Sequence, residues 1–469
     1  MIDVEKLTAL IPPSAVDKES LSLYCDYSYG NTIAPEMYTK YDIKRGLRNA
    51  DGTGVVVGIT NISDVHGYTY DHQGNKIPDE GRLTYRGYDI NDLVANVVKE
   101  DRFGFEETAY LLMSGVLPSE RELADFRTLL GEYADLPDGF TVNYIMRPPT
   151  RDIMNAMARA ILQLYAFDLR AEERSRTHEL DTAIMLLARL PRIMVLAYHV
   201  YRDKFFGDSM FIHHYVPGES TAQTILSMLR PDRSYTDLEA KTLDLMLMLH
   251  AEHGGGNNST FSCRALTSAD TDPYSAYAAA IGSLKGARHG GANNRVTAMT
   301  SDIKEHVRDI TNEGQVADYL RKIVRKEAYD RTGLVYGMGH AVYTKSDPRA
   351  VLCHKYANRL VKGTDHEEEF RLLELIEQLT PQLLAEAGKS KDICANVDLY
   401  SGCVYATLGI PKEMLTPLFA CARMAGWASH RFEEIVSAKR IMRPAFQKAC
   451  PDRDYEPLAT RIEHHHLQD

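Results

Sequence analysis

Six stretches of this chain put histidine, arginine or aspartate beside glycine or at the expected ends of helices. In LHAEHGGGNNST, His250 and His253 stand at i, i+3 where a helical pattern runs into three glycines. Imidazoles at that spacing could hold zinc, could be helix-terminal residues favoured by the macrodipole, or could bind a ligand. The HExxH spacing of a zinc hydrolase is absent. In LKGARHGGANNRV, two glycines after His289 let a ligand approach the backbone closely. In YGMGHAVYTKSDPRA, His340 follows Gly337, Met338 and Gly339, and Arg349 stands nine residues on. A guanidinium in the first turn of a helix is a natural bidentate clamp for a carboxylate, and Asp347 before Pro348 reads as the N-cap of that helix.

The remaining three stretches add an acid and two cations. CANVDLYSGCVYATLG holds Asp398, which reads as an N-cap or as a chemical acid. LFACARMAGWASH sets Arg423 in an apolar helix walled by Phe419, Ala420, Met424 and Trp427, where an unpaired guanidinium is costly unless an anion meets it. AKRIMRPAFQ carries Arg443, a surface basic residue or a further anion contact. Together these offer His253, His289 and His340, Asp398, and Arg349, Arg423 and Arg443, with no GxSxG elbow, no GxxxxGK[ST] and no GxGxxG after a strand. That set suits a polycarboxylate substrate and proton transfer at carbon.

The elements that must position these groups are mostly helices. Ser119–Glu122 and Thr236–Glu239 read as capping boxes, and Ile153, Met157, Ala160, Ile161 and Leu164 keep a helical period. Pro191 is expected to kink or divide the long segment from Thr177 to Tyr201. Strand signals are sparse: Val55–Val57 and Arg82–Tyr85, with turn residues Asp71–Gly74 between them, suggest one small hairpin. The fold class is therefore mainly α. Charge is 54 Lys+Arg against 65 Asp+Glu, a net −11 that argues against a generic nucleic-acid binder but not against a locally basic pocket. No run approaches the ~18 apolar residues of a membrane helix. Seven scattered cysteines without a CxxC pair argue against a disulfide framework or zinc ribbon, and a cytoplasmic setting is expected. The run His464–His466 reads as a tail rather than a metal site.

At these residues the sequence closely resembles the citrate synthase family. The matching blocks are LHAEHGGGNNST, DPYSAYAAAIGSLKGARHGGAN, GMGHAVYTKSDPR, NVDLYSG and ARMAGW…IMRP, with weaker similarity from about Tyr29 through GRLTYRGYDINDL. The resemblance implies a mainly α, two-domain fold with the active site in a cleft. The large domain would comprise residues 1–291 and 410–469, and a smaller mobile domain residues 292–409. It further implies a homodimer in which Arg443 is donated across the interface to the partner's site.

The implied reaction is a Claisen-type condensation of acetyl-CoA with oxaloacetate, followed by thioester hydrolysis to citrate and CoA. By the same resemblance Asp398 is the base, His289 holds the enol(ate) oxygen and His340 polarises the oxaloacetate keto group. His253, Arg349, Arg423 and a partner's Arg443 would bind the carboxylates. Arg45 and the backbone of Gly337, Met338 and Gly339 would meet CoA. Thr344 stands where mitochondrial relatives carry an arginine beside CoA, a gap that Lys345 or Arg48 could fill. No metal is implied and no cofactor is held permanently. The alternatives are 2-methylcitrate synthase, which uses propionyl-CoA with the same residues, a His-site metal hydrolase, and a non-catalytic helical scaffold.

Overall fold

The computed structural model describes residues 25, 28–30, 32–389 and 392–461, so the His464–His466 run lies outside the described residues. Two compact units emerge. One combines residues 1–56 with 443–469, and its described part holds the short helix α1 (Pro35–Lys40), a 3-10 turn at Arg45–Leu47 and another at Leu458–Thr460. None of these three elements buries a side chain.

The second unit, residues 57–442, holds a small sheet and the helical core. Strands β1 (Ser63–Tyr70) and β2 (Lys76–Tyr85) form an antiparallel hairpin, and β3 (Tyr88–Asp89) pairs with the end of β2. The Asp71–Gly74 turn and the Arg82–Tyr85 strand are where the sequence places them. The Val55–Val57 strand is not: those residues are irregular and Val56 is 92 % exposed. The Val55 N–H reaches the Leu47 carbonyl at 2.8 Å, but no ladder continues through Val56 and Val57, whereas SDVHGYTY gains a ladder from β2.

Fifteen further helices follow among the described residues. The first seven are α2 (Ile90–Lys99), α3 (Phe105–Ser114), α4 (Glu120–Tyr133), α5 (Ile153–Leu164), α6 (Arg176–Phe206), α7 (Thr221–Leu229) and α8 (Asp237–His250). Next come α9 (Asn258–Thr267), α10 (Pro273–Lys285), α11 (Ala292–His306) and α12 (Glu313–Val324). The last four are α13 (Pro348–Val361), α14 (Glu367–Glu386), α15 (Asp398–Thr407) and α16 (Leu415–Glu433). Both expected capping boxes form, at Ser119 on α4 and Thr236 on α8. Pro191 does not divide α6, which runs unbroken over 31 residues. An internal proline costs roughly 3 kcal/mol, and here burial of most of the helix offsets it. By length and hydropathy α6 could cross a membrane, yet 72 % of its most apolar window is buried in the protein, as for a core helix. All seven cysteines are free thiols.

Helix α16 is the centre of the packing: it contacts α3, α6, α8, α9 and α10, and nearly all its residues are buried. Small side chains (Ala420, Ala422, Ala425, Gly426, Ala428) permit that crowding. Its register is fixed by a bidentate ion pair to α6, in which Arg431 Nε and one terminal nitrogen each lie 2.7 Å from a Glu179 oxygen. Arg431 also donates to Thr267 Oγ1 and the Thr271 carbonyl, at 3.1 and 3.0 Å. Helices α11 to α15 pack chiefly on one another, with α13 reaching α8. Because Glu179 and Arg431 are both buried, Glu179→Ala leaves an uncompensated guanidinium. It should lower the free energy of chemical denaturation by about 3–5 kcal/mol.

Candidate active site

The two histidines of LHAEHGGGNNST part company in the structure. His250, the last residue of α8, is buried, donates from Nδ1 to the Met246 carbonyl at 2.7 Å and packs edge-on to Phe419. Burial draws its pKa down to about 3, so it is a neutral core residue. His253 lies beyond the helix, with its ring 5.1 Å from that of His340 and 5.6 Å from that of Tyr343. The pair therefore does not share a ligand, and no group of three potential metal ligands occurs among the described residues.

His340 and Asp398 are positioned by one small device. The Gly337–Gly339 loop pairs with the segment before α15: Gly339 N–H donates to the Cys394 carbonyl at 2.7 Å and Asn396 N–H to the Gly337 carbonyl at 2.9 Å. The Asn396 side chain adds a bond to the Gly339 carbonyl at 2.8 Å. Gly337 has φ +84°, and a Cβ there would lie 2.7 Å from Leu399, so both conformation and space require glycine. Beyond the loop, the amides of Val342 and Tyr343 both donate to His340 Nδ1, at 3.0 and 3.1 Å. The ring proton must then sit on Nε2.

Asp398 is the first residue of α15, not its cap; Val397 holds the cap position. Its own amide donates to Asn396 Oδ1 at 3.1 Å. Burial pushes its carboxyl up to about 6, with Arg349 opposing and Asp347 adding to the shift. Asp347 does cap α13 as the sequence suggests, accepting from the Arg349 amide. It also grips the Arg349 guanidinium through Nε at 3.1 Å and a terminal nitrogen at 2.7 Å. That pair holds Arg349 as a buried cation.

His289 occupies the turn before α11. Its Nε2 accepts from the Ser259 amide at 3.3 Å and lies 3.1 Å from Ser259 Oγ, so its proton is on Nδ1. Trp427 Nε1 donates to the same hydroxyl at 3.2 Å, linking α16 to the start of α9. Burial, helped by Arg423, lowers the His289 pKa to about 4.

Arg423 is fully buried on α16. Its Nε donates to the His250 carbonyl at 2.8 Å, and its carbon centre lies 4.7 Å from the Phe419 ring. Its two terminal nitrogens are buried with no partner in the protein, and so is Nε2 of His253. His253 feels the charges of Arg349, His340 and Arg423, after burial the main causes of its lowered pKa. The structure thus gathers His253, His289, His340, Arg349, Asp398 and Arg423, and leaves a guanidinium fork and an imidazole edge pointing at nothing in the chain. Buried polar groups are almost always satisfied, and this cluster has the donor pattern of a carboxylate pocket.

The family described as citrate synthase, C-terminal domain, matches residues 49–445. The chain belongs to the citrate synthase family. It is 32 % identical to a citrate synthase of Haloferax volcanii over 90 % of this chain and 99 % of that one. It is 31 % identical to a 2-methylcitrate synthase of Shewanella oneidensis over 81 % and 92 %. Among solved structures, the citrate synthase of Thermoplasma acidophilum in ternary complex with carboxymethyl coenzyme A and oxaloacetate aligns with TM-score 0.72 and 26 % identity. That alignment covers 89 % of this chain and 99 % of that one.

Two residues expected from the family resemblance belong to the other compact unit. Arg443 and Arg45 are both exposed there, Arg45 stacked 4.4 Å over Tyr38. Thr344 is engaged structurally: its hydroxyl donates to the Gly67 carbonyl of β1 at 2.6 Å. Sequence reasoning missed Ser259 and read Trp427, the chain's single tryptophan, only as an apolar neighbour of Arg423 and not as a donor to Ser259. The His289 assignment is testable by NMR with ring-labelled histidine, using His289→Gln to identify the signal. The ring should remain neutral with its proton on Nδ1 until the pH nears 4. Because the unfolded ring protonates at about 6.5, stability should fall as pH drops from there towards 4.

Proposed function

We propose that this chain condenses an acyl-CoA with oxaloacetate and hydrolyses the resulting thioester. Acetyl-CoA is the preferred donor in this reading and citrate the product. The observation that carries it is the pair of unpartnered groups, the Arg423 fork and His253 Nε2, beside an acid and two neutral imidazoles with defined tautomers. Arg423, His253 and the free edge of Arg349 receive the oxaloacetate carboxylates, with Arg443 of a second copy completing the site in a homodimer.

A thioester α-carbon is a weak acid, so its proton leaves readily only if the enolate oxygen is stabilised at the same moment. Asp398 takes that proton while His289 Nδ1–H donates to the thioester oxygen. The carbanion then attacks the oxaloacetate keto carbon, whose oxygen accepts from His340 Nε2–H. Water hydrolyses the citryl thioester, so acetyl-CoA, oxaloacetate and water give citrate, CoA thiol and a proton. Neutral imidazoles fit these tasks, since an imidazolium would surrender its proton instead of holding a hydrogen bond. Helices α11 to α15, residues 292–409, form the smaller domain in this reading. Its closure excludes water until the carbon–carbon bond exists. The backbone at Gly337–Gly339 and Arg45 contact CoA.

Propionyl-CoA is the second donor to consider, because the relatives named above include both enzymes at nearly equal identity. One methylene is worth only ~1–3 kcal/mol in such a pocket. Thiol release from each acyl-CoA, with and without oxaloacetate, decides between them. Oxaloacetate-dependent release from acetyl-CoA at the higher kcat/KM is the expected result, and absence of release from either would end the catalytic reading.

Two further outcomes follow from the base. Asp398→Asn should lower kcat by about 10²–10⁴-fold while oxaloacetate still binds. For the native enzyme, kcat/KM for acyl-CoA should fall as pH drops below about 6, where Asp398 takes up a proton, and should level off above it. A rate that is flat from pH 7 to pH 5 would remove Asp398 from the role of base.

A further inference from the structure

The proposed reaction gives Glu252 no task, although it is fully buried next to His253. Its Oε1 is saturated: the Ser63 hydroxyl donates at 2.9 Å, His430 Nε2 at 3.0 Å, and the Gly254 amide adds a third bond. Its Oε2 is buried with no partner. That oxygen faces α16 so closely that a Cβ at Gly426 would lie 2.2 Å from it. Gly426 is three residues beyond Arg423, one turn along the same helix, and the terminal nitrogens of Arg423 are the unpartnered groups of the site.

The surroundings keep this carboxylate charged without pairing it. Arg264 donates to His430 Nδ1 at 2.9 Å, which fixes the His430 proton on Nε2, towards Glu252. Arg264 is itself occupied by Glu433 and Glu434, at 2.8 and 2.9 Å. Burial opposes the charge on Glu252, but His430, Arg423 and Ser63 hold its carboxyl down at about 2. No ion pair joins it to Arg423, yet each charge is felt by the other.

We propose that Glu252 is a resident counter-charge, offsetting the buried Arg423 guanidinium while the site is empty and opposing the substrate carboxylate when it arrives. This rests on the reading that Arg423 binds oxaloacetate. A fixed carboxylate of this kind trades affinity for stability. Without it the empty protein would carry a buried cation with no compensation, and the incoming dianion would meet a more positive pocket. A group that merely braced the loop would behave oppositely, since its loss would weaken both the fold and binding.

The test measures oxaloacetate binding by calorimetry, and thermal unfolding with and without oxaloacetate, on the full chain. Wild type, Glu252→Gln and Glu252→Asp are compared. Glu252→Gln should lower Tm in the absence of ligand, bind oxaloacetate about fivefold or more tightly, and gain a larger ligand-induced rise in Tm. Glu252→Asp, which keeps the charge, should return towards wild-type affinity. Unchanged or weaker binding by Glu252→Gln overturns the counter-charge. Failure of wild type to bind oxaloacetate overturns instead the reading of Arg423, which is a separate result. If Glu252→Gln does not fold, the double variant Glu252→Gln/Arg423→Gln, free of both charges, should fold; a double variant that also fails to fold makes Glu252 a purely structural group and overturns the proposal.

Discussion

A guanidinium with no accessible surface and two unpaired nitrogens is the constraint on which the rest of the site depends. Burying an unpaired charge costs several kcal/mol, so the protein must recover that cost elsewhere. It does so by making α16 the most enclosed helix of the unit, built from small residues that the neighbouring helices can approach closely. The Glu179–Arg431 pair fixes the helix at its C-terminal end, and the Trp427–Ser259 bond ties its middle to α9. Arg423 then lies one turn before Trp427, the first of these anchored points along the helix, with Nε spent on the His250 carbonyl. Its remaining freedom is small, so its two unpaired nitrogens present a fixed pair of donors.

The same economy governs the histidines. His289 and His340 both receive their acceptor hydrogen bonds from backbone amides, of Ser259 and of Val342 and Tyr343. A main-chain donor cannot titrate or rotate away, so each tautomer is set by the fold. The two rings nonetheless present opposite nitrogens, Nδ1–H in one and Nε2–H in the other. That difference arises from where each sits: His289 in a turn packed on the start of α9, His340 in a loop that folds back on its own ring.

Much of this was legible in the sequence, and the reasons are physical. The capping boxes at Ser119 and Thr236, and the Asp347 cap, are local patterns whose partners lie three residues away or fewer. Of the six site residues brought together, five lie beside glycine or at a helix end, where side chains can converge, and Arg423 reaches them from the interior of α16. What failed depends on tertiary context. Pro191 does not divide α6, which packing carries through it, and Val55–Val57 lacks a partner strand. Ser259 and Glu252 act across 30 and 178 residues of chain, on His289 and with His430, and spacing alone shows neither.

The hairpin ties down the loop that carries His340. The Thr344 hydroxyl reaches the Gly67 carbonyl of β1. Two residues on, Ser346 bonds to both Glu80 and the Gly81 amide of β2. A Cβ at Gly81 would lie 2.0 Å from the Ser346 carbonyl oxygen, so the strand must be glycine there to come this close. The loop that carries His340 is thus held on one side by the 394–396 segment and on the other by the hairpin. Thr344 and Ser346 are tethers that stiffen the segment between His340 and Arg349. Position 344 therefore acts through the geometry it imposes on His340 and Arg349, and not through a charge of its own.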